Sequence, residues 1–176
     1  MLKRSLFVII AVSCLASMSF AQKHAAAAAK VDPGKGVHDA FDRFVEGIKQ
    51  VDADKVMASY AKSNDLLVFN NNGTATKGWD NVDTNTKQVY ANLSNVTIDI
   101  TGLTIRMLGT SAAYVTCKWK QSQENAGKLE TASGRMTLVY ELVGKEWKIV
   151  HRHTSPDNPD ATRPVFPSER LPSGGN

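Results

Sequence analysis

Between residues 36 and 93 the apolar positions recur every three or four residues, and from 96 to about 153 they recur every second one. That change of period divides the chain into a helical first half and a strand-rich second half. In "VHDAFDRFVEGIKQVD" the residues Val37, Phe41, Phe44, Val45, Ile48 and Val51 form one stripe, which predicts an amphipathic helix. Asp52 is placed to cap a shorter helix, "ADKVMASYA", with Val56, Met57 and Tyr60 inward. "DLLVFN" (65–70) reads as a short strand and "NNNGTATKG" as turn chemistry around an Asn-Gly step. "WDNVDTNTKQVYANL" predicts a third helix that buries Trp79, Val82, Thr86, Val89, Tyr90 and Leu93.

Four long strands follow. Val96, Ile98 and Ile100 share a face, Gly102 marks a bulge, and Leu103, Ile105 and Met107 resume the alternation. "SAAYVTCKWKQSQ" puts Ala113, Val115, Cys117, Trp119 and Gln121 on one side, and "SGRMTLVYELV" does so with Met136, Leu138, Tyr140 and Leu142. Short turns between them predict an antiparallel meander. Helices first and a sheet afterwards is an α+β order. A strongly twisted sheet with helices on its concave side leaves a tapered cavity lined by the apolar strand faces. The last strand, "EWKIVHRHTS", alternates Trp147, Ile149, His151 and His153, so simple alternation carries both imidazoles inward with the tryptophan.

The ends have a different character. "MLKRSLFVIIAVSCLASMSFAQ" runs from basic to apolar to small residues, the layout of a secretory signal cleaved after Ala21. The rival reading is a lipid anchor on Cys14 in "AVSC". The expected organisation is a signal over 1–21, an Ala-rich linker over 22–35 broken by Pro33-Gly34, a globular domain over 36–155, and a Pro-rich disordered tail over 156–176. The expectation is an exported protein, periplasmic or secreted, with no membrane segment after cleavage. Lys3 and Arg4 leave with the signal, so the net charge falls from +4 to +2. No basic run survives, which argues against a nucleic-acid partner. Cys117 is then the single cysteine, so there is no internal disulfide, and its place on an apolar face marks a buried inert thiol.

Three stretches carry a likeness: "ASYAKSNDLLVFNNNG", "KGWDNV" opening a helix, and the closing "GKEWKIVHRHTS". Residues 36–156 resemble the SnoaL-like branch of the nuclear transport factor 2-like superfamily. The closing stretch is also similar to the association domain of calcium/calmodulin-dependent kinase. The resemblance implies a cone, in which a curved antiparallel sheet wraps around about three N-terminal helices, and a homodimer formed through the sheet. It implies little about activity, because the superfold carries isomerases, dehydratases, cyclases and assembly domains. In ketosteroid isomerase-like members an aspartate ends the first strand as the base, a tyrosine lies on the first helix and a second acid on a late strand. Here Asn70 and Phe44 fall at the first two places, and no carboxylate lies between Thr131 and Tyr140. An amide takes no proton near neutral pH, and a phenyl ring donates no hydrogen bond.

The candidate ligand cavity is Tyr60, Asn70, Trp79, Tyr90, Trp119, His151 and His153, suited to a small hydrophobic or aromatic molecule. Two readings of the histidines stay open: hydrogen bonding at the sheet's rim, or a polar patch in the cavity. Two strand histidines with no evident third ligand make no zinc site, and no cofactor motif is present. The favoured function is non-catalytic binding or assembly. The alternative is an isomerase, dehydratase or cyclase using His151 or His153 as acid or base, with Asp65 as the partnering carboxylate.

Overall fold

A computed structural model of the chain describes residues 33–157. The expected signal, most of the linker and most of the tail lie outside the described residues.

Helix α1 runs Pro33–Lys49. Pro33 and Gly34 open it rather than breaking the segment, because a proline lacks only an N–H that the first turn leaves unpaired anyway. Its stripe buries Val37, Phe41, Phe44 and Val45. Asp52 caps α2 (Ala53–Ala58) by accepting from the Lys55 amide at 2.9 Å. After β1 (Leu67–Phe69) the "NNNGTATKG" stretch holds more than a turn: it adds β2 (Ala75–Lys77), paired antiparallel to β1. Gly73, at φ 87°, supplies the left-handed residue this hairpin needs. Helix α3 spans Trp79–Tyr90 and buries only Val82, so its apolar side is less committed to the core than its spacing predicts.

The long strands are β3 (Leu93–Leu108), β4 (Ala112–Asn125), β5 (Lys128–Val143) and β6 (Glu146–Pro156). Together the described strands form one sheet in the order β2-β1-β6-β5-β4-β3, antiparallel except where β1 lies parallel to β6. Gly102, at φ 62°, sits in a register break between Thr101 and Thr104, the bulge its position predicts. The inner faces of β3–β6 meet α1 and α2 in one apolar cluster, with Val115, Leu138, Tyr140 and Ile149 at 0% exposure. The aliphatic side chains among them contribute about 1.5–3 kcal/mol each by leaving water. This is the α+β arrangement of helices gathered on the inner side of a bulged, mainly antiparallel sheet.

One break in the sheet is unmarked in the sequence. On β5, Tyr140 opposes Ile149 and Val139 opposes His151, so Val150 has no partner. An unpaired residue reverses which face every later side chain occupies. Before it, Trp147 and Ile149 are inward and buried. After it, Arg152 shares a rung with the core residues Leu138 and Val68, while His151 and His153 share rungs with Leu67 and Phe69 on the outer face. The bulge falls where β6 changes partner. Its start is tied to the chain after α2, with the Ala61 amide donating to Ile149 O at 2.9 Å and the Ile149 amide to Ser59 O at 2.8 Å. Its continuation is tied to β1.

Candidate functional site

Between α1, α3 and the inner sheet face lies a cavity of about 830 Å³. Its floor is apolar, from Phe44 and Ile48 of α1, Val68 of β1, Ile98 of β3 and Met136 of β5. Its walls are amides and hydroxyls: Asn70, Thr74 and Thr76 from the hairpin, Asn85 and Thr86 from α3, and Gln121 and Gln123 from β4. Trp119 spans the two zones. Its indole lies over Gly134 on the next strand, where an added Cβ would come within 3.1 Å of Trp119 Cζ2 and against the Ser155 carbonyl. A side chain at 134 would therefore displace the ring.

The charge at this site is Arg152, turned inward by the bulge. Its guanidinium carbon stands 5.9 Å from the Tyr60 ring centroid. Its Nη2 donates to Asn70 Oδ1 at 3.4 Å, a long and weak bond, and its Nε is buried without a partner. Asn70 is held for this contact: its amide nitrogen donates to Thr74 Oγ1 and Thr76 Oγ1, each at 3.1 Å, which leaves the carbonyl oxygen facing the arginine. The end of β1 thus carries an amide acceptor braced by two threonines. Even an aspartate there would be held ionised by Arg152 and would be a weak proton acceptor.

Burial pushes the Tyr60 phenol up. The Arg152 guanidinium pulls the other way without reaching hydrogen-bond geometry with the hydroxyl, which is also without a partner. Burial likewise raises Tyr90 to about 12, and proximity to Tyr60 adds to it. Neither phenol exchanges protons near neutral pH. Among the described residues the single carboxylate on the cavity lining is Glu130, which is exposed and accepts from Gln123 Nε2 at 3.1 Å and Asn125 Nδ2 at 3.4 Å.

The sequence-derived site residues separate into groups. Asn70 and Trp119 line the cavity. Tyr60, 3% exposed, lies beneath it with its ring edge-on to Phe44 at 5.8 Å between centroids. Trp79 and Tyr90 pack on the margin of the core instead of on the cavity wall, and Lys62 covers the Trp79 ring at 4.9 Å. His151 and His153 do not follow Trp147 inward. They stand on the outer face, each edge-on to Phe69 at 5.4 and 5.6 Å. Neither imidazole makes a side-chain hydrogen bond among the described residues, so the rim hydrogen-bonding reading is replaced by ring packing. Asp65 is nearly fully exposed, 4.0 Å from Lys77, and remote from the cavity lining. Among the described residues no cluster of three or more His, Cys, Asp or Glu side chains could hold a metal ion.

Sequence reasoning missed Arg152 and Thr154, because the Val150 bulge hides their parity. Of the amide wall it named Asn70 and placed Gln121 on the inner face, but it missed Asn85 and Gln123. A signal for the wall existed: "NNN" and "QSQ" are amide clusters at the ends of strands that are otherwise apolar on their inner faces.

The family described as SnoaL-like domain matches residues 37–159. A comparison with curated proteins finds no significant match. Among solved structures, a nuclear transport factor 2-like superfamily protein from Salmonella enterica serovar Typhimurium has 18% identity and a TM-score of 0.66, over 76% of this chain and 97% of that one. A candidate calcium/calmodulin-dependent protein kinase II association domain from Xanthomonas campestris has 20% identity and a TM-score of 0.60, over 70% of this chain and 86% of the other. A ketosteroid isomerase-like protein from Erwinia carotovora atroseptica has 15% identity and a TM-score of 0.62, over 73% and 99%. At such identities the likeness establishes the fold, which proteins named for catalysis and for assembly share.

Proposed function

The chain belongs to the SnoaL-like domain family, and from that premise we propose that it is an exported, non-catalytic binder of a small, largely apolar molecule. One observation carries the reading. The cavity is of ligand size and apolar at its floor, yet among the described residues its depth holds no group that takes up or releases a proton near neutral pH. Where the resemblance to isomerases would put a base stands Asn70, whose amide is committed to two threonines. The reading in which His151 or His153 serves as acid or base has no support from the geometry, since both imidazoles sit on the other side of the sheet from the cavity.

The outer face supports the homodimer. Phe69, 39% exposed, is flanked by His151 and His153, with Leu67, Val139 and Tyr114 half-buried on the same surface. Light scattering on the full chain should then give twice the monomer mass. Export rests on the basic, apolar and small-residue order of the first 21 residues. Recovery of a product beginning at Gln22 from the host's extracytoplasmic fraction tests it.

The binding reading is tested by incubating the protein with a mixture of small apolar metabolites, then releasing and weighing what it retains by mass spectrometry. An unaltered molecule recovered in near-equal proportion to the protein is the expected result. Recovery of a chemically changed molecule that accumulates with time would replace binding by catalysis.

A further inference from the structure

Arg152 is a positive charge inside a cavity with an apolar floor, and no acid stands close enough to pair with it. Among the described residues no carboxylate stands within ion-pair distance of its guanidinium. Its contacts are one 3.4 Å bond to an amide oxygen and the Tyr60 ring face, and its Nε is buried with no acceptor. An unanswered, partly buried charge is costly unless something supplies hydrogen-bond acceptors and the opposite sign.

The imbalance extends beyond one residue. Trp119 Nε1, which can only donate, is buried on the cavity wall without a partner. The Tyr60 hydroxyl below is also unpartnered. The reverse imbalance, a buried acceptor lacking a donor, occurs on the described lining at Asn71 Oδ1 alone. On the described lining the buried polar atoms left without a partner are therefore mainly donors, and the inward cation lacks an acid within ion-pair distance.

The geometry points to small apolar monocarboxylates as the ligand class, the carboxylate accepting from Arg152 and the apolar body lying toward Phe44, Ile98 and Met136. This rests on the binding function proposed above. A carboxylate matches the guanidinium edge with two parallel acceptors, which gives orientation as well as energy. A single cation answers a single negative charge, so a doubly charged phosphate monoester would leave one charge without an ionic partner. The floor supplies the apolar contact that a free inorganic anion could not use. Braced by Thr74 and Thr76, Asn70 acts as a positioning residue that keeps the guanidinium pointed across the cavity.

The test is calorimetric titration of the full chain with 2-naphthoate and with 2-naphthamide, which has nearly the same shape and no charge. The unsubstituted protein should bind the acid at least about tenfold more tightly at pH 7, the scale of one charge-assisted hydrogen bond. Arg152→Gln should bring the ratio of acid to amide affinity close to one, while Arg152→Lys should retain part of the preference. If Arg152→Gln fails to fold, judged by circular dichroism, the unsubstituted protein and the lysine variant decide. Equal binding of acid and amide by the unsubstituted protein overturns the carboxylate inference and leaves the binding function standing. A preference that survives intact in Arg152→Gln overturns it as well. Binding of neither compound overturns both.

Discussion

The two halves of β6 differ more from each other than either differs from a neighbouring strand. Residues 146–149 put Trp147 and Ile149 into the core and are tied by their backbone to the end of α2. Residues 151–156 put Arg152 and Thr154 into a polar-walled cavity and two histidines on the outer surface, with β1 alongside. Val150 separates them. The first half shows what a strand does when both its face and its partners agree with simple alternation. The second shows that one unpaired residue is enough to exchange which chemistry faces the cavity and which faces outward.

The comparison breaks most readily in its first half. Ile149 is fully buried and bridges the sheet to the chain after α2, so Ile149→Ala should lower the unfolding free energy by about 2–5 kcal/mol in urea titrations. A loss under 1 kcal/mol would mean that the helices do not depend on this strand.

Alkaline pH probes the closed and open regions together. Burial pushes the Cys117 thiol up to about 11 from an unfolded value near 9, and Tyr90 up to about 12 from near 10. Both groups stay neutral longer in the folded state than in the unfolded one. Their contribution is complete below pH 9 and declines as pH rises toward 11 and 12. The urea midpoint should therefore be flat from pH 7 to 8.5 and fall by pH 10.5, and Cys117→Ala should delay the onset. Slow alkylation of Cys117 in the native protein at pH 8, against rapid reaction in urea, checks the same burial.

Smaller effects sharpen the second half. His153→Ala removes one edge-on ring contact to Phe69 and should cost about 1 kcal/mol while leaving ligand affinity unchanged. A tenfold loss of binding in that variant would return the imidazole to the cavity. Arg152→Met should be close to neutral, or stabilising by about 1 kcal/mol, because it removes a partly buried charge that has no ionic partner. Destabilisation by several kcal/mol would show that the arginine is structural.

Much of this was legible in residue order. The switch of period from 3.6 to 2 located the helices and the meander, and Gly102 announced its own bulge because a glycine in a strand marks a backbone other residues avoid. Asn70 and Phe44, singled out by identity alone, both line the cavity. The hairpin strand β2 was less visible, since three residues flanked by asparagines and glycines carry too short an alternation to separate strand from turn.

The sequence by itself determined the order of elements, the inward faces of β3 to β5 and the amide at the end of β1, because each follows from local periodicity or from the identity of one residue. Tertiary structure decided which side of the sheet His151, Arg152 and His153 occupy. That depends on β6 leaving one partner and joining another at Val150, a pairing set by residues far apart in the chain. Valine carries no conformational mark of such a break, and beyond it both faces of the strand are polar, so neither local geometry nor hydrophobic pattern could distinguish the two parities.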